Sequence, residues 1–223
     1  MLKDNIAYLL KFAPKEAYID DLINGHLYMN AAGYYHGLPG EQGDPLEASM
    51  ASGARLYRYT CLPIYCMHTV RENDIVDNAV KIPIRMIQEF GCADGWIGIV
   101  QYDSFARLAD GHITDDGNIY AHGPISYGVP GPKLIREIFE GMPHNLVIKT
   151  PKYAYQKEYR IIGSQPVECR LLPDENHPGC KIEKYDHAEL NLSSSLADFS
   201  RKVSVASLEE ARDGLMLDLP HQA

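Results

Sequence analysis

The stretch YAYQKEYRIIG, residues 153 to 163, places Gln156, Lys157, Glu158 and Arg160 among Tyr and Ile residues. Those aromatic and β-branched types favour strands, and Gly163 reads as a strand stop. A carboxylate fixed on a rigid strand is suited to stabilising positive charge that develops in a reaction. Strand alternation would put Gln156, Glu158, Arg160 and Ile162 on one face, and Tyr155, Lys157, Tyr159 and Ile161 on the other. The polar residues then form one stripe, in which Arg160 either fixes Glu158 or neutralises it. The competing reading is a solvated outer face whose glutamate pairs with a neighbouring cation.

Other chemistry-bearing residues are more scattered. Cys66 and His68 fall on one face of a strand, yet alternate residues of a strand do not reach each other as a nucleophile and its base must, so Cys66 reads as structural. Asp44 and Glu47 sit in a Gly- and Pro-rich stretch, 33 to 47, where carboxylates bind a cation or a ribose hydroxyl, or simply face water. The nine His lie far apart, with no pair at metal-ligand spacing. Phosphate-binding glycine loops, the dinucleotide fingerprint, H-E-x-x-H and G-x-S-x-G are all absent from the sequence.

The elements that must position these residues are short. Residues 15 to 24 have helical spacing and stop at Gly25, ahead of a strand HLYMN. RLYRYT at 55 to 60 and LPIYCMHTV up to residue 70 read as strands. PIRMIQEF, 83 to 90, reads as a helix opened by proline. GWIGIVQYD follows as a central strand, then SFARLAD as one or two helical turns and NIYAHGPISYG as an irregular strand. PKLIREIFEGM repeats the Pro-started helix, and residues 145 to 149 form a strand or apolar turn. VECRLL and CKIEKYD pair around PDENHPG. Ser207 and Glu210 form a capping box opening a helix to about 217. The expected fold is α+β: a mixed, mainly antiparallel sheet with short helices inserted between strands, in one domain over 1–223 with 190–223 as a possible C-terminal helical extension.

The order KFAP, YIDDLINGHLYMN, GDPLE, LPIYCMHTV and PKYAYQKEYRIIG resembles a group of bacterial and phage-encoded proteins to which no activity is attached, over about the first three-quarters of the chain. A second resemblance is to ADP-ribosyltransferases, many of which end on a strand bearing Gln or Glu, any residue, then Glu. Gln156-Lys157-Glu158 has that form. The resemblance implies NAD as substrate, Glu158 as the electrostatic anchor of an oxocarbenium-like ribose and Gln156 as its substrate-facing partner. It implies Tyr28, Asn30, Tyr155 and Arg160 as cleft residues around NAD. The early NAD-binding Arg or His of that family has only His26, Tyr28 and Asn30 here, and its middle Ser/Thr run only Thr69.

A net charge of −9 excludes a general nucleic-acid backbone binder, which needs clustered Lys and Arg. The five Cys are odd in number and hold no C-x-x-C, which suits a reducing cytoplasm. The N-terminal residues have the form of neither a signal peptide nor a membrane span. The leading expectation is a cytoplasmic ADP-ribosyltransferase-like enzyme acting in bacteria–phage conflict, with a protein or nucleic-acid acceptor. The alternative is a non-catalytic binding protein, an inhibitor that presents an acidic surface to a host or defence factor. A third reading joins Asp44, Glu47 and Glu158 in a hydrolase.

Overall fold

A computed structural model describes residues 5–38, 57–90, 94–114, 116–128, 144–177, 179–205 and 215–218. The chain opens with β1 (Ile6–Ala13), α1 (Glu16–Ile23) and β2 (His26–Ala31). Ile19 and Leu22 are the buried face of α1, one turn apart, and Gly25 ends the turn that follows it. A 3-10 helix, Ala32–Gly37, and the short α2 (Tyr57–Thr60) precede β3 (Pro63–Arg71). The expected strand at 55–60 is therefore helical over its described part: Leu62 N–H closes a turn onto Tyr59 O, and Tyr59 packs with Leu62, Ile64 and Leu146. Tertiary packing has overridden strand propensity there.

A small hairpin, β4 (Ile75–Val76) and β5 (Ala79–Ile82), turns through Asp77 and Asn78, both at positive φ. Next come α3 (Ile84–Glu89), β6 (Trp96–Gln101) and α4 (Tyr102–Thr114), the last longer than the one or two turns expected. β7 (Ile119–Pro124), β8 (Ser126–Tyr127), β9 (Ile148–Lys149) and β10 (Glu158–Gly163) follow. The remaining strands are β11 (Cys169–Pro173), β12 (Lys181–Tyr185), β13 (His187–Asn191), β14 (Ser200–Ser204) and β15 (Leu215–Asp218). The helix expected at 132–142, and the capping box of the one expected at 207–217, lie outside the described residues. Leu215–Asp218 is a strand paired with β5.

The fold is α+β around a mainly antiparallel sheet, as the sequence predicts. Its main path runs β13-β2-β3-β1-β6-β14, and β10 joins β3 to β7. β3 is the hub. It pairs with β1 through His68–Arg71, with β2 through Pro63 and Ile64, and with β10 from Ile64 to His68. Where β1 and β2 diverge, the Cys66 carbonyl accepts a hydrogen bond from Lys11 Nζ at 3.0 Å. β14 and the end of β13, Leu190 and Asn191, fall in the segment 190–223 expected to hold a helical extension, and both strands pair into this sheet.

Alternation splits the core into two layers. Leu9, Tyr65, Met67, Val100, Tyr159 and Ile161 face α4 and Phe105. Tyr8, Leu10, Val70, Ile97 and Ile99 face α3 and β5, in a cluster with Val80, Ile82, Met86 and Ile87. The second face carries the polar residues discussed next.

Candidate functional site

The strand expected from 153 to 163 begins only at Glu158. Residues Pro151–Gln156 form a 3-10 helix with proline at its start, and Lys157 turns the corner in the left-handed region at φ 41°. Lys157 O is held by both the backbone N–H and the hydroxyl of Thr69, each at 2.8 Å, which pins the corner against β3. The expected stripe survives from a different geometry. Glu158, Arg160 and Ile162 share one face of β10, opposite His68, Cys66 and Ile64 of β3. Gln156 reaches the same space from the end of the 3-10 helix.

That space is a cavity of about 130 Å³. Its floor is the sheet, with Leu10, Cys66, His68, Glu158 and Arg160. Phe12, Phe90 and Met86 form an apolar side, while Tyr35, Lys149 and Gln156 close the polar side. Phe12 stacks on Phe90 at 5.9 Å and meets His68 edge-on at 6.2 Å.

Glu158 is buried and surrounded by donors. Lys149 Nζ lies 2.7 Å from Oε2, and Arg160 Nη2 and Nε lie 2.6 and 2.8 Å from Oε1. The Cys66 thiol is a fourth donor. Burial alone would push this carboxyl upward, but Arg160 and Lys149 outweigh it and hold the pKa down to about 2, so the group is ionised. Each cation is itself anchored: Arg160 Nη1 donates to Leu146 O at 2.5 Å, and Lys149 Nζ donates to Gln156 Oε1 at 3.2 Å. Lys149 arrives on β9, the parallel partner of β8, and Tyr127 of β8 accepts the Glu158 backbone N–H at 2.7 Å.

The Cys66 thiol is pushed up to about 12 by burial and then by Glu158, so it is no nucleophile at neutral pH. Burial pushes His68 down to about 4, so its imidazole is neutral. His68 Nδ1 lies 2.6 Å from Gln156 O; a carbonyl only accepts, so Nδ1 carries the proton and Nε2 is an acceptor.

The other expected site residues lie elsewhere. Tyr28 is half exposed on β2 and stacks on His187 at 4.3 Å, away from the cavity. Asn30 stands one residue behind the wall, hydrogen-bonded to the Tyr35 side chain. Tyr155 donates its hydroxyl to Glu89 and packs under Arg85, whose guanidinium is 3.9 Å from the ring centre, on the α3 side. Asp44 and Glu47 are outside the described residues. Lys149 and His68 as cavity residues escaped the sequence reading. A Lys after Val-Ile carries no local mark of a site, whereas His68 was marked by sharing a strand face with Cys66.

No group of three His, Cys, Asp or Glu among the described residues is placed to hold a metal, and no described helix is long and apolar enough to cross a membrane. Comparison with protein families, curated proteins and solved structures gives no match to this chain.

Proposed function

We propose that the protein is an ADP-ribosyltransferase-like enzyme that cleaves the nicotinamide–ribose bond of NAD and passes ADP-ribose to a protein or nucleic-acid acceptor. The observation that carries this reading is the ionised Glu158 carboxylate, fixed by Arg160 and Lys149 on the wall of a cavity whose other side is aromatic. The C1′–N bond breaks with its electron pair leaving on the nicotinamide nitrogen, and the positive charge moves to the ribose ring. A preorganised carboxylate stabilises that charge without reorganising. The acceptor then attacks C1′, and its proton passes to solvent. Phe12 and Phe90 offer rings against which a flat nicotinamide packs.

Four donors already occupy Glu158, about the capacity of a carboxylate. The thiol of Cys66 is the weakest of them, so a ribose hydroxyl displaces it at least cost. Gln156, through Lys149, sets where the carboxylate's cationic partner sits.

Calorimetric titration with NAD and an assay for released nicotinamide test the reading. Wild-type protein is expected to bind NAD and release nicotinamide, and Glu158→Gln to release none. That substitution also leaves two buried cations short of their partner, so it is expected to lower stability by about 3–5 kcal/mol, not to spare it as on an exposed strand. Nicotinamide release is therefore read at a temperature where circular dichroism shows the variant folded. Wild-type protein that fails to bind NAD would overturn the reading in favour of a non-catalytic binding protein.

A further inference from the structure

We infer that His68 is the residue that selects the carboxamide end of the dinucleotide, by accepting a hydrogen bond from its N–H₂ group at Nε2. The inference rests on the NAD reading above. His68 is 6% exposed, lines the cavity, and makes its one hydrogen bond among the described residues through Nδ1, to Gln156 O. Nε2 is therefore an acceptor with no donor among the described residues, on a ring that lines a partly open cavity. A ligand that fills the cavity strips solvent from this nitrogen, so it must supply a donor or leave a buried acceptor unmet.

The position of His68 selects which donor. It lies directly opposite Glu158 across the β3–β10 ladder. With C1′ at Glu158, the next group along the dinucleotide is the nicotinamide ring, and the Phe12 edge contact with His68 puts the apolar wall beside it. The ring's carboxamide is the polar group within reach. Its carboxylate analogue has no proton to donate at neutral pH and would set an oxygen lone pair against that of Nε2. Lys11, Lys149 and Arg160 act in the opposite sense, favouring the acid by charge. They are engaged with Cys66 O, with Glu158 and Gln156, and with Glu158 and Leu146 O, respectively.

The test compares binding of NAD with that of its nicotinic acid counterpart in three proteins. Wild-type protein should prefer NAD by roughly 10–100-fold, the cost of an unmet buried acceptor. In His68→Asn the amide nitrogen takes the place of Nδ1 and keeps the bond to Gln156 O, while the acceptor is lost. In His68→Gln the amide oxygen takes the place of Nε2, and the bond to Gln156 O is lost. His68→Asn is expected to fold and lose the preference, and His68→Gln to retain most of it. A purely structural histidine gives the reverse order and would refute the assignment. Equal binding of both dinucleotides by wild type, or preference for the acid, overturns this inference and leaves the NAD reading standing. Binding of neither overturns both.

Discussion

At the scale of single residues, the site is a set of groups whose protonation is fixed by one another. Glu158 is ionised because two cations meet it, and His68 is neutral because burial penalises its charge. The histidine gives a pH signature. In the unfolded chain imidazole titrates at about 6.5, and in the fold it is held at about 4. Between these values the unfolded state binds a proton that the folded state refuses. Stability from this residue is thus fully present above about pH 6.5 and falls progressively as the pH drops toward 4, by on the order of a few kcal/mol. Urea unfolding at about pH 7, 5.5 and 4.5 should show a shallower acid decline in His68→Asn than in wild type. Parallel declines would mean that His68 already charges in the fold.

At the scale of elements, the corner at Lys157 and the turn at Gly25 do the positioning. Gly25 has φ +81°, and a Cβ there would lie 2.3 Å from the Ser194 carbonyl oxygen. Its own carbonyl accepts Leu192 N–H at 2.8 Å, so the turn after α1 clasps the segment leading to β14. Gly25→Ala is expected to cost at least about 1–3 kcal/mol by chemical denaturation, through positive φ and the clash together. Much of this level is legible in the sequence. PIRMIQEF, GWIGIVQYD and the hairpin around PDENHPG form the elements that their periodicity and turn residues predict. Glu158, Arg160 and Ile162 share the face that alternation assigns them. What is not legible is where alternation starts. Tyr153 and Tyr155 are good strand formers used in a 3-10 helix, because Pro151 opens a turn and the contacts of Thr69 stabilise the reversal at Lys157. Those contacts join residues 88 apart in sequence, and no local window contains them. Lys149 lies only nine residues before Glu158, but nothing in that window shows that the 3-10 helix between them folds back to pair them, and Tyr28 misled because an exposed aromatic and a cleft aromatic look alike in one dimension.

At the scale of the whole molecule, a chain of net charge −9 gathers Lys11, Lys149 and Arg160 against Glu158 alone among the charged residues of one cavity. The excess negative charge elsewhere repels polyanions at long range, while the cavity wall favours a compact anionic ligand at short range. The hub strand β3 adds a consequence in time. His68 and Gln156 meet 88 residues apart in sequence, so closing the cavity means closing a long loop. Such contacts are expected to form after the folding barrier has been crossed, once the more local β1–β3 pairing exists. Lys149→Met should then speed unfolding while leaving the refolding rate nearly unchanged, as stopped-flow kinetics over a range of urea can show; a slowed refolding limb would place the cavity in the folding nucleus. The chain would hold a formed framework with an unfinished site for part of its folding time. The lifetime of the working site is then set by how fast β10 and the 3-10 helix before it let go of β3.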